Sequence, residues 1–535
     1  MLSYISKKMK KKKIEKEKRE MSGIEEILHS KARIKYRMII QSFYIGILTS
    51  IVIVSYRVFG EKLLEMMATL YKNSIGNTLN LFLIFIGLIA MSLFVSYCVK
   101  KEPNISGSGI PQVEGSIGRK IQTNWFTVLV YKYLGGIVSM AAGLSIGREG
   151  PSVQMGAAIG EGYSNYRNKL DYEHKYLLTS GASAGLAAAF NAPLSGVMFA
   201  LEEVHKNFSP IVLLSAMVSA MTADTLAKFV LGFKPALHFS RLHIMPIKYY
   251  WTLIILGIIL GLLSYVFNKG VVKSKKLYKK MPIKMEFKIM IPFLLSALIG
   301  IYMPILLGGG HSLIMSPQLL KIGLISLIIL LVMKMLLTFI AFGSGVPGGI
   351  FFPLLAIGAL IGTIVGFICV SYFNIPNRYL INLTILAMAG YFAATVKAPI
   401  TGIILIFEMT GSFGQLLPLS IVVFISLMVS EIIGVEPVYE MLLENILEND
   451  EVKKVNKSDK KTLLNISVCL GSDVEGKLVS EVDWPEDMLI VSIQRGNKEI
   501  LPRGRTMIIE GDMISVVVNK DESALMRDFL LEICS

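Results

Sequence analysis

Gly107-Ser108-Gly109-Ile110-Pro111 offers one hydroxyl and several backbone N–H groups at the point where a helix begins. Helix amino ends carry unsatisfied donors and partial positive charge, so such a segment can bind an anion without a formal cation. That mode of binding suits movement. Dipoles and hydroxyls replace part of an ion's hydration and still release it, whereas a buried lysine or arginine in contact would hold it tightly. A second segment, Gly147-Arg148-Glu149-Gly150-Pro151, puts two ionisable side chains at the head of an apolar run. At membrane depth such groups are costly and usually functional.

The run that follows reads Pro151-x4-Gly156-x3-Gly160, and its frame returns 202 residues later, where Gly349-Ile350-Phe351-Phe352-Pro353 leads into Gly358 and Gly362. Ala192-Pro193, Gly196 and Glu202 likewise recur as Ala398-Pro399, Gly402 and Glu408, at an offset of 206. Two apolar halves with shared Gly/Pro interruptions mark a transporter built from internal repeats, its site lying where broken helices meet at mid-membrane. The central position is a carboxylate, Glu149, in the first copy and Phe351 in the second. That asymmetry places the chemistry.

The elements that must carry these segments are legible in the composition. Apolar residues make up 53% and charged ones 17%, against about 45–50% and about 25% in soluble domains. Met38 to Tyr56, Leu79 to Cys98 and Tyr249 to Asn268 are free of charge, each close to the roughly 20 residues that a bilayer span needs. Met335 to Asn377 is also uncharged but too long for one span, and Gly343, Gly345, Pro347, Gly348, Gly349 and Pro353 cut it. Unwound backbone at depth is tolerated only inside protein or along a cavity, so these breaks belong within a bundle. Small-residue packing accounts for Gly135, Gly136, Gly143, Gly181 and Gly185 with no ligand. It does not account for a repeated frame that holds Arg148 and Glu149.

Lys7 to Arg19 forms a basic cluster, and Lys31, Arg33, Lys35 and Arg37 abut the first span. By the positive-inside rule this end is cytoplasmic, and residues 1–34 read as a solvated, disordered cationic tail rather than a signal peptide. The net charge of +15 is partly this tail. No basic-aromatic surface accompanies it, so nucleic acid is not an expected partner. Cys98, Cys369, Cys469 and Cys534 are scattered, which argues against a disulfide framework and against a metal site. Around residues 446–461 the chain turns into a charged linker, and residues 462–535 read as a small soluble α+β domain. Met488 to Ile493 and Met513 to Val518 look like strands, and Glu522 to Ile533 looks helical.

Gly107-Ser108-Gly109-Ile110-Pro111, Gly147-Arg148-Glu149-Gly150-Pro151, Gly349-Ile350-Phe351-Phe352-Pro353 and Tyr439 after Glu436-Pro437-Val438 together resemble the CLC family of chloride channels and chloride/proton exchangers. Phe190-Asn191-Ala192-Pro193-Leu194 and Lys397-Ala398-Pro399 through Glu408-Met409-Thr410-Gly411 fit the same family. The resemblance covers residues 35–445 and implies an all-α polytopic membrane protein of two inverted-topology repeats, 35–240 and 245–445. It implies a homodimer with one pathway per subunit, in the plasma membrane with both termini cytoplasmic, and no cofactor.

Position by position, the resemblance makes Ser108 and Tyr439 the hydroxyl donors to the anion, with backbone N–H groups from Ile350 and Phe351. Gly107, Gly109, Pro111, Glu114, Lys132 and Arg148 support them. Glu149 becomes the gating glutamate: its carboxylate has the halide's charge and competes for the same site, and protonation frees the site. In Phe199-Ala200-Leu201-Glu202-Glu203, the acid Glu203 falls where family exchangers keep an internal proton-transfer glutamate. The competing reading of Glu203 is an ion pair, since Glu114, Lys132 and Arg148 are near it in the family pattern. Glu408 reads as structural. Ser108 favours chloride, or bromide, over nitrate. Separately, Leu501-Pro502-Arg503-Gly504 and Gly511-Asp512-Met513-Ile514 resemble the TrkA-C module, which implies a regulatory domain whose first candidate ligands are nucleotides, cyclic dinucleotides included.

Three other classes compete with this reading. A passive chloride channel differs from an exchanger by the height of one barrier. An intramembrane serine hydrolase would use Ser145 or Ser183, each in a G-x-S-x-G frame, but needs a base in hydrogen-bond reach. Potassium transport lacks a Thr-Val-Gly-Tyr-Gly-type carbonyl ring.

Overall fold

The uncharged runs become helices because a chain in hydrocarbon must satisfy its own backbone hydrogen bonds. In the computed structural model, which describes residues 35–535 except 168–170, 207, 234–235, 238, 240–241, 317–321, 450–460, 470, 486, 496–497, 520–522 and 535, the first half comprises eight helices. They are α1 (Lys35–Asn73), α2 (Thr78–Lys101), α3 (Ile110–Ile117), α4 (Trp125–Ala141), α5 (Glu149–Tyr166), α6 (Asp171–Phe190), α7 (Pro193–Phe199) and α8 (Pro210–Leu231). The second half repeats that order of long and short elements. It runs α9 (Trp251–Lys280), α10 (Met285–Tyr302), α11 (His311–Ile314), α12 (Leu324–Gly343), α13 (Phe351–Phe373), α14 (Leu380–Val396), α15 (Pro399–Thr410) and α16 (Leu416–Ile432), with α17 (Val438–Asn449) following. Among the described residues, eight segments are long and apolar enough to cross a membrane. The basic cluster read as a disordered tail lies outside the described residues.

The repeated glycines set two close helix crossings. A Cβ on Gly156 would run into the backbone of Gly181, one on Gly160 into Leu177, and one on Gly185 into Ser152, so α5 and α6 touch through bare backbone. Gly358 and Gly362 do the same for α13 against α14, facing Ala387 and Leu383. Close approach through small residues is how membrane helices gain packing without a hydrophobic driving force. Nearly every residue of α14 is buried as a result.

The halves also interlock. Glu202, beyond α7, accepts from the backbone N–H groups of Ile400 (3.2 Å) and Thr401 (2.8 Å) at the start of α15. Glu408, in α15, accepts from those of Leu194 (3.0 Å) and Ser195 (2.8 Å) at the start of α7. Proline at the first helical position leaves the following N–H groups as the donors that need partners.

A second unit begins at Glu448 and has its own core, including Val468, Ile493, Ile514, Val516 and Leu530. Its sheet has four antiparallel strands in the order β1-β4-β2-β3: β1 (Lys461–Ser467), β2 (Met488–Arg495), β3 (Lys498–Ile500) and β4 (Met513–Asn519). Helix α18 (Ser523–Cys534) closes it. Strand β1 was not expected. It starts within the charged run assigned to the linker, and its residues alternate only between exposed and half-buried, which leaves a weak period-2 signal.

Candidate functional site

Three helix starts meet at the broken segments. Gly147 and Gly349, which share one position in the repeat frame, donate to each other's carbonyls at 2.7 and 2.8 Å. Gly107 donates to Val346 O (3.1 Å) and accepts from Gly348 N–H (3.0 Å). Through these bridges the loops before α3, α5 and α13 form one knot. Gly109 enters α3 with φ 92°, a left-handed value for which glycine carries no Cβ penalty. Gly150 packs so closely on Ser108 that a Cβ would overlap the hydroxyl and carbonyl. The amino ends of α3, α5 and α13 therefore bring partial positive charge to one buried place.

Two buried lysines brace unwound loops, one ahead of α3 and the other ahead of α11. Lys132, in α4, is buried and donates to Ile105 O (2.8 Å) and Gly107 O (2.7 Å). Lys334, in α12, is buried and donates to Leu306 O (3.2 Å) and Gly308 O (2.6 Å). Each ammonium serves the unwound loop ahead of its own short helix, which supplies the partners a buried charge requires. The sequence named Lys132 only; Lys334, the lone charge of α12, was findable as its repeat partner.

Glu149 is 1% exposed. Its carboxylate turns back over Gly147 toward the backbone N–H of Phe352. The carboxylate also lies by its own backbone N–H, so the side chain rests against the starts of both α5 and α13. Ile350 is the residue that leads into α13, and the Phe351 ring lies against Phe190 (5.2 Å), Phe199 (5.8 Å) and Phe392 (4.6 Å) between centroids. The position equivalent to Glu149 thus belongs to an apolar aromatic cluster.

The hydroxyls of Ser108 and Tyr439 face one another, both buried, and neither completes a hydrogen bond to a described protein group. Tyr439 packs its ring on Phe199 at 6.4 Å and lies in the fields of both Glu149 and Glu203. Pro111 occupies the first turn of α3, and Glu114 follows on the same helix.

Glu203 is 4% exposed, and its Oε1 has no hydrogen-bond partner among the described residues. Of the three groups named for its ion-pair alternative, Lys132 serves carbonyls, Arg148 pairs with Glu61, and Glu114 pairs with Lys206 at 2.7 Å. Arg148 also lies 3.9 Å from Glu149, and Arg57 lies 3.5 Å from Glu61. Glu61 and Arg57 come from α1, whose sequence gives no sign that this turn reaches the site. For the hydrolase reading, Ser145 Oγ contacts Thr338 Oγ1 at 2.9 Å and Ser183 Oγ contacts Ala216 O at 3.3 Å. Neither bond goes to an imidazole.

Helix amino ends and hydroxyls around a buried point, crossed by one carboxylate at the break of an internal repeat, define a membrane anion-transport site. The family described as Voltage gated chloride channel matches residues 91–431, and the TrkA-C domain matches residues 465–531. The chain belongs to the voltage gated chloride channel family, with a TrkA-C domain attached. The H(+)/Cl(-) exchange transporter ClcA of Vibrio parahaemolyticus is 34% identical over 395 residues, 72% of this chain and 84% of that protein. ClcA of Vibrio cholerae is 32% identical over 437 residues, 79% of this chain and 93% of that protein. The crystal structure of a slow cyanobacterial Cl-/H+ antiporter superposes with a TM-score of 0.72 at 28% identity, over 77% of this chain and 98% of that one.

Proposed function

We propose that this chain is a secondary active antiporter that moves chloride across a membrane in exchange for protons. The observation that carries the proposal is the pair of buried acids Glu149 and Glu203, with Tyr439 in the field of both. A channel needs only the first acid as a gate, whereas an exchanger needs a second to bring protons from the other side.

Chloride is coordinated by the hydroxyls of Ser108 and Tyr439 and by amides at the start of α13, Ile350 and Phe351 with Phe352. Lys132 keeps the Ser108 loop in shape, and Gly107, Gly109 and Pro111 give it its turn into α3. Deprotonated Glu149 takes the anion's place against the α13 amides. Once protonated it loses its charge and its claim on those dipoles, and chloride enters. Glu203 relays protons between Glu149 and the cytoplasm past the Tyr439 and Phe199 rings. Bromide follows chloride on the same dipoles.

The protein acts as a homodimer with one pathway per subunit, in the plasma membrane with both termini cytoplasmic. The sequence bias of Lys7 to Arg19 supports that orientation. Residues 462–535 bind a nucleotide-like regulator, a role supported by the TrkA-C match. Recording chloride and proton movement together in liposomes tests the antiport reading: coupled opposite fluxes support it, and chloride flux with no proton movement reduces the protein to a channel.

A further inference from the structure

Lys206 ends the π-helical turn Ala200–His205 that carries Glu203. Single π turns are frequent at functional sites. The backbone at Lys206 is left-handed, with φ 53°, a conformation that costs energy for a residue with a Cβ and persists where its surroundings demand it. In that position Lys206 Nζ donates to Glu114 Oε1 on α3 at 2.7 Å and pairs with Glu440 Oε1 on α17.

What matters is where those partners stand. Helix α3 opens two residues after Ser108, and Glu440 is the neighbour of Tyr439. One ammonium therefore ties together the two elements that hold the facing hydroxyls. The same ammonium lies in the field of Glu203, whose Oε1 is buried without a protein partner among the described residues. The other charged groups around this cluster are Glu202 on the π turn and Lys120 beyond α3. Lys175 of α6 and His205 line the adjoining cavity with Glu114 and Lys206.

We propose that Lys206 is the positioning residue that passes the charge state of Glu203 to the anion path, an inference that rests on the proton exchange proposed above. With Glu203 protonated and neutral, Lys206 holds Glu114 and Glu440 together, and the hydroxyls of Ser108 and Tyr439 stay close. When Glu203 releases its proton, to Glu149 in one direction or to cytoplasmic water in the other, three carboxylates compete for one ammonium. Opposite charges at this range attract and like charges repel, more strongly away from bulk water. The ties to Glu114 and Glu440 weaken, α3 and α17 separate, and the anion passes. Lys206 itself keeps its proton throughout.

The test is the ratio of chloride to proton flux in liposomes for the full chain, for Lys206→Met, for Lys206→Arg and for Glu440→Gln. Loss of the tie lets chloride slip without a proton, so Lys206→Met raises the ratio by about fivefold or more, the low end of ordinary coupling energies. Lys206→Arg returns it toward the parent value, and Glu440→Gln, which keeps the lysine and side-chain size, raises it in the same direction. A parent-like ratio in both Lys206→Met and Glu440→Gln overturns the inference, and if Lys206→Met does not fold, the Glu440→Gln result decides. A rise that Lys206→Arg fails to reverse also overturns it, because packing rather than charge would then be responsible. Absence of proton flux in the parent protein is a different result, and it removes the antiport reading itself.

Discussion

Glu202 and Glu408 cap one another's halves: each reaches across the pseudo-symmetric interface to close the helix that follows the other's Ala-Pro pair. Glu202 Oε2 accepts from Thr401 N–H and Thr401 Oγ1, both at 2.8 Å, and Glu408 Oε2 accepts from Ser195 N–H at 2.8 Å and Ser195 Oγ at 2.5 Å. This separates two acids that are adjacent in sequence. Glu202 is committed to a helix end, while Glu203 keeps a buried oxygen with no protein partner among the described residues.

Replacing Glu408 by alanine leaves the donors at the start of α7 without their acceptor. A lost cap with charge-assisted bonds costs about 1–3 kcal/mol. The thermal midpoint of the detergent-solubilised protein therefore falls, while its chloride-to-proton ratio holds. An unchanged midpoint would show that the interlock contributes nothing to stability.

Glu149→Ala removes the charge that competes with the anion. In the parent protein, acidification protonates Glu149 and vacates the site, so chloride flux rises as pH falls. In the variant, flux is independent of pH and carries no protons. Chloride efflux from liposomes at a series of pH values measures this, and retained coupling would move the gate to another residue.

Glu203→Gln keeps the shape of the side chain and removes its proton chemistry. Chloride flux persists and proton coupling disappears. Should coupling survive, Glu203 belongs to the ion-pair group around Lys206 instead of to the proton route.

In the carboxyl-terminal domain, Arg495 grips Asp512 with two bonds of 2.8 Å, and Ile509 N–H adds a third at 3.0 Å. Burial would push the Asp512 carboxyl up, but these bonds outweigh it and hold the group below the usual carboxylate range. A carboxyl lowered by folding stabilises the domain above its unfolded value of about 3.9, and that stability is lost as pH falls through the folded value. Asp512→Asn therefore lowers the domain's thermal midpoint at pH 7 and narrows its difference from the parent under acid. A constant difference down to pH 2 would assign the effect to packing.

Much of the membrane unit was legible in its sequence because the bilayer imposes length and the repeat imposes correspondence. Glu149 against Phe351 marked the site. The Gly156/Gly160 and Gly358/Gly362 frames were visible as a repeat, but their role in close helix packing was not: the sequence reading gave packing to other glycines such as Gly181 and Gly185, and the structure gives it to the frame glycines as well. Two kinds of feature were hidden. Contacts made by distant turns, such as Glu61 on Arg148 or Glu440 on Lys206, depend on how helices pack and leave no periodic trace. The fold of the Glu149 side chain back over Gly147 toward the Phe352 amide is a matter of rotamer, which spacing alone does not encode. In the small domain, β1 went unseen for want of a buried face with clear alternation.

The most direct test of the central claim is a single liposome experiment on the purified full chain, with an imposed chloride gradient, no initial pH gradient, and chloride and pH electrodes read together. Chloride running down its gradient is expected to drive protons the opposite way, against the pH difference that their own movement builds. Chloride flux that leaves the external pH unmoved would contradict it.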